Sequence, residues 1–179
     1  MSGYPTSTTP IRVIGFRETC KVDGREFSRK IGTQQWIERP VEANAPVPSP
    51  KYISLVHQAQ NDGEPLHWSL FIARENQYGF VYQVKGDAEH MRYLPSPKPV
   101  NIVHSASFLN IYHLASVTEE QEELVRQVAE QEPPPQAANR QSVTENCQGW
   151  TVRVITKLVE MGIVPTAKLE MARSMVEPI

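Results

Sequence analysis

Apolar and polar positions alternate most regularly between residues 51 and 85. KYISLVHQA, from Lys51, and LHWSLFIA, from Leu66, both read as strands, and QNDGEP between them reads as a turn. LHWSLFIA and GFVYQVKG are joined by RENQY and predict a hairpin. Along its first strand His67, Ser69 and Phe71 share one face, and Trp68, Leu70 and Ile72 the other. IRVIGF, from Ile11, predicts an earlier, shorter strand. After Ser116 the period changes. SVTEEQEELVRQVAEQ offers Ser116 or Thr118 as a cap, acidic residues in its first turn, and Leu124, Val125 and Val128 at helical spacing, until PPP at 133–135 stops it. A second helix opens at Asn146 or just before it. Its apolar stripe runs through Cys147, Trp150, Val154, Ile155, Leu158 and Met161, and Gly162 and Pro165 end it. A final helix, within 165–176, runs from about Thr166 to Met175. Strands first and helices last predict an α+β fold, an antiparallel sheet packed against helices.

Residues 1–10, MSGYPTSTTP, are polar and small and predict a flexible arm, which leaves 11–179 as a single domain. Within it, 33–50 reads as a proline-rich loop, and LPSPKPVNIVHSASF as a second such loop leading to a short strand. A chain of 179 residues, 40% apolar and 21% charged, can bury an ordinary core without staples. A net charge of −2 leaves no basic footprint for nucleic acid. No stretch approaches the ~18 consecutive apolar residues of a membrane span, and the first ten lack the features of a secretory signal, so a cytoplasmic location is expected. Cys20 and Cys147 are too few for a disulfide framework. No Cys-x-x-Cys or His-x-x-x-His pair supports a metal, and no cofactor is expected.

Candidate chemistry centres on Cys147. The first turn of a helix has unpaired N–H groups and a partial positive charge, both of which favour a thiolate. The same position also suits a small core residue. A nucleophilic thiol needs a base, and five histidines are available: His57, His67, His90, His104 and His113. His67 stands out because Gln83, in VYQV, follows it by 16 residues. A hairpin with an odd-length loop would set the two side by side on one face, where an amide can hold an imidazole in one orientation and tautomer. Asp87, in KGD, is a rival for that third position. Asn146 suits a helix cap. Trp68 and Trp150 are candidates for the lining of a pocket, and equally for the core.

HWSLFI, GFVYQV and NCQGW, in that order, resemble the histidine strand, the following polar-residue strand and the Asn-Cys helix start of the lecithin:retinol acyltransferase-like proteins. These belong to the circularly permuted branch of the NlpC-type, papain-like thiol hydrolases. The resemblance covers 64–163 and implies a permuted papain-like core with Cys147 as nucleophile, His67 as general base and Gln83 in third position. HWSLF and NCQGW also resemble segments of uncharacterised fungal proteins, which would supply a family but no activity. The chain departs from the lipid acyltransferases in three ways. It has Gln83 where they have a second histidine, Gln148, Gly149 and Trp150 where they have Glu-His-Phe, and a longer hairpin loop. Its last residues, MARSMVEPI, are too short and too polar to span a bilayer, so no membrane-anchoring tail and no membrane lipid substrate are expected. The function expected is a thiol hydrolase or acyltransferase that cleaves an amide or ester of a small molecule or peptide through a thioester. The alternative is a non-catalytic protein-interaction module on the same fold, marked by an inert, buried thiol. The first strand is expected to complete the sheet, with the proline-rich loop covering the site.

Overall fold

The computed structural model describes residues 3–14, 16–39 and 49–179. The chain divides into two compact units, Met1–Pro48 and Ser49–Ile179, where the sequence leads one to expect a single domain over 11–179. Residues 40–48 of the expected proline-rich loop lie outside the described residues.

The first unit is a meander of four antiparallel strands, β1 (Arg12–Ile14), β2 (Arg17–Val22), β3 (Arg25–Lys30) and β4 (Ile37–Arg39), each beside the next. Asp23 and Gly24 turn β2 into β3, a dipeptide suited to two-residue hairpins. Phe27 is fully buried, with the Tyr4 ring at 5.3 Å. The strand read from Ile11 is present, but β1 pairs with β2 and does not complete the main sheet. β4 falls inside the stretch expected to be loop.

The second unit holds a four-stranded antiparallel sheet in the order β10-β5-β6-β7, from β5 (Lys51–Gln58), β6 (His67–Arg74), β7 (Phe80–Tyr82) and β10 (Phe108–Val117). A two-stranded ribbon, β8 (Val84–Lys85) with β9 (Arg92–Tyr93), continues beyond β7. Three helices follow: α1 (Glu119–Gln131), α2 (Cys147–Glu160) and α3 (Thr166–Ser174). The α+β class is therefore as expected. No helix among the described residues is long and apolar enough to cross a membrane.

Alternation along β5 and β6 sorts the core into two layers. Ile53, Leu55, Trp68, Leu70 and Ile72 pack with Trp150, Val154, Ile155 and Leu158 of α2. Val56, Phe71, Ala73, Val81 and Ile102 form a smaller cluster on the other face. Each large side chain fully buried from α2 contributes about 1.5–3 kcal/mol, so this stripe anchors the helix to the sheet. The caps act as the sequence predicts. Thr118 and Gln121 form a reciprocal capping box on α1, and Gly162 takes a left-handed φ of 71° just past the end of α2.

Two features position the site. β7 pairs with only Leu70, Phe71 and Ile72 of β6, which leaves the β6 edge at 66–68 without a strand partner among the described residues. Gly79 brings the hairpin in so closely that a Cβ there would lie 2.0 Å from the Ile72 carbonyl oxygen.

Candidate active site

His67 opens β6 and Gln83 follows β7 directly. The His67 ring Nε2 lies 2.9 Å from Gln83 Oε1, in a buried contact. The observed register pairs Leu70 with Tyr82, so continuing it puts Gln83 opposite Ser69 and diagonal to His67. The two share one face, as the spacing suggests, and meet across one diagonal step, a separation long side chains still span. Because a carbonyl oxygen only accepts, Nε2 carries the proton and Nδ1 is left as the basic nitrogen. Burial pushes the imidazole pKa down, with Gln83 opposing and the Lys85 charge reinforcing that shift. The ring is therefore neutral at neutral pH. A cleft of about 500 Å³ opens beside it, lined by His67, Gln58, Lys85, Met91 and Ser107 among others.

Cys147 is the first residue of α2, where Asn146 caps the helix by accepting the Gln148 N–H at 2.9 Å. Its thiol is 2% exposed and approaches the Leu66 carbonyl at 4.0 Å. Burial pushes its pKa up. The N–H groups of Trp68, Cys147 and Gln148 oppose that shift, and Glu177 adds to it. The sulfur thus meets the backbone on either side of His67. No hydrogen bond joins it to either ring nitrogen. Burial favours the neutral form of both the thiol and the imidazole, against the pull of the helix start towards a thiolate.

Other candidates are placed differently. Asp87 bonds its own turn, accepting the Glu89 and His90 N–H groups at 2.9 Å each, and does not engage His67. Trp68 and Trp150, candidates for pocket lining, are fully buried in the core. Trp68 stacks on His57 with centroids 4.7 Å apart, and Trp150 donates its indole N–H to the Glu132 carbonyl at 3.1 Å. His57 is buried with Nε2 unpartnered, and burial lowers its pKa. No group of three or more His, Cys, Asp or Glu side chains suited to a metal ion occurs among the described residues.

Two residues at the site escape sequence reasoning. Gln148 is fully buried and donates Nε2 to the Leu66 carbonyl at 2.9 Å. Glu177 accepts the Leu66 N–H at 2.7 Å and the Gln148 Nε2 at 2.6 Å. An amide placed among apolar neighbours at a helix start is a signal for Gln148; nothing local marks Glu177.

The model of a protein family described as a family of unknown function, DUF6540, matches residues 53–165, inside the second unit. No curated protein and no solved structure matches the chain.

Proposed function

The chain belongs to DUF6540, and we propose that its second unit is a permuted papain-like thiol hydrolase or acyltransferase acting on an amide or ester of a small molecule or peptide. One observation carries this reading: the thiol of a helix-start cysteine abuts the backbone at Leu66 and Trp68, the two residues flanking a histidine already oriented by an amide.

With both groups neutral at rest, proton transfer accompanies attack. Cys147 Sγ adds to the substrate carbonyl carbon as its proton passes to His67 Nδ1. The helix-start N–H of Cys147 meets the oxyanion. Collapse forms the thioester and breaks the bond to the leaving amine or alcohol, which takes the proton from His67. Water or an acceptor then attacks the thioester, returns its proton through His67 and frees the thiol. The step requires Nδ1 to reach Sγ, and the buried thiol, which does not line the cleft beside His67, to become open to a substrate seated there.

The test is intact-mass measurement after exposure to p-nitrophenyl acetate, with Cys20 as internal reference. An acetyl group should appear on Cys147 and turn over, and should form roughly 100-fold more slowly in His67→Ala. Acylation at the same rate in both, or none on Cys147, would sink the reading.

Burial and the raised pKa of Cys147 favour a second reading, a non-catalytic interaction module on this fold. In that case Cys147 acylates no faster than Cys20.

A further inference from the structure

The unpaired edge of β6 is not empty. Leu66 and Trp68 direct their backbone groups away from β5, to the side where β7 no longer runs. Side chains occupy that side. Glu177 takes the Leu66 N–H at 2.7 Å, Gln148 gives its amide N–H to the Leu66 carbonyl at 2.9 Å, and the Cys147 thiol approaches the same carbonyl. Gln148 and Glu177 also hold each other reciprocally. The amide Nε2 donates to the carboxylate at 2.6 Å, and the Glu177 backbone N–H donates to the amide Oε1 at 2.8 Å. A strand edge, a helix start and a segment 111 positions further along the chain than Leu66 thus meet in one closed network around a fully buried amide.

We infer that Glu177 is a positioning residue for Cys147, fixing the start of α2 against the β6 edge through Gln148 and Leu66 and setting a negative charge at the thiol. The inference rests on the reading of Cys147 as the reactive group of this site. A carboxylate bound to two donors cannot move without breaking both bonds, and each bond to a charged group is of the stronger kind. Its charge acts against a second negative charge on sulfur. Burial pushes both His67 on β6 and His57 on β5 towards the neutral form, and Glu145, just before α2, pairs with Arg153. Glu177 therefore does two opposed things. It places the sulfur, and its charge adds to the burial that favours the protonated thiol.

The test uses the full chain and follows iodoacetamide alkylation of Cys147 against pH by mass spectrometry, with Cys20 as reference, alongside thermal unfolding. Glu177→Gln keeps the shape and removes the charge. Its alkylation midpoint should move down by about one pH unit, making Cys147 roughly tenfold faster at a fixed pH below the midpoint. Glu177→Asp keeps the charge and should stay near the wild-type midpoint. A purely structural residue would lower the unfolding temperature in both variants without separating their midpoints. His67→Ala distinguishes the two failures. If it leaves Cys147 chemistry unchanged, the nucleophile reading fails while a Glu177→Gln shift still stands. A midpoint in Glu177→Gln at or above that of wild type, or a Cys147 inert in both, overturns the inference.

Discussion

His67 Nε2 and Gln83 Oε1 lie 2.9 Å apart although the hairpin register sets the two residues diagonally. β7 ends at Tyr82, and the chain turns into the β8–β9 ribbon at Gln83, so this amide leaves the ladder and is free to serve the ring. A bond between two buried groups also fixes which nitrogen is basic, a property a half-exposed histidine lacks.

Gln83→Glu should raise the His67 pKa by one to two units, because it replaces a neutral acceptor with an opposite charge. Gln83→Ala should lower it further, since the bond to Gln83 is what opposes burial. NMR titration of the His67 ring protons reads both changes. Identical titration in the two variants would mean that the contact does not govern the ring.

Acid should destabilise the second unit in a window set by two histidines. Burial depresses the pKa values of both His57 and His67. Unfolded imidazoles titrate near ~6.5, so below that value the unfolded chain binds protons the folded one refuses. Stability is then full above the unfolded value and is lost as pH falls from there through the folded values. His57→Phe, which keeps the stack on Trp68 and removes an unpartnered nitrogen, should flatten the slope of the unfolding temperature between pH 7 and 5. An unchanged slope would remove His57 from the account.

Glu132 is buried and pairs with Arg153 at 2.5 Å and Lys157 at 2.6 Å, both on α2. Burial opposes its charge, but the two cations hold its carboxyl below the usual range. Glu132→Gln leaves Lys157 without its carboxylate partner and Arg153 with Glu145 alone. It should cost roughly 1–2 kcal/mol in urea unfolding at pH 7, less than a fully buried pair because Arg153 and Lys157 stay partly exposed. The loss should shrink at low pH, where the wild-type carboxyl is protonated.

Gly79→Ala should be among the most damaging single-methyl changes in the chain, costing about 2 kcal/mol or more. The added Cβ would meet backbone at Ile72, which cannot swing aside as a side chain would. Circular dichroism melting checks this, and a variant as stable as wild type would show that the hairpin can open at no cost.

Much of the second unit was legible because its elements obey local rules. β5 and β6 alternate, Thr118 and Asn146 cap the helices they precede, and Gly162 stops α2. β10 was expected only as a short strand after a loop, because bulges between Phe108 and Asn110 and between His113 and Ala115 break its alternation. The β2–β3 hairpin was missed because RETCKV and REFSRK are charged at half or more of their positions and bury little beyond Thr19, Cys20, Phe27 and Ser28. At the candidate site, the contact of His67 with Gln83, the helix-start position of Cys147 and the cap at Asn146 were legible from residue type and order. Glu177 was not, since its role depends on a contact across 111 positions that no periodicity encodes.

The stack of Trp68 on His57, rings 4.7 Å apart and only 13° from parallel, makes the strand beside the cysteine self-reporting. A protonated imidazole in contact with an indole quenches its emission, whereas a neutral one does so far less. The Trp68 signal should therefore dim as His57 gains its proton and brighten when the stack is pulled apart. In a variant carrying Trp36→Phe and Trp150→Phe, acid titration of His57 and disturbance of the stack can then be followed by fluorescence, with no label attached.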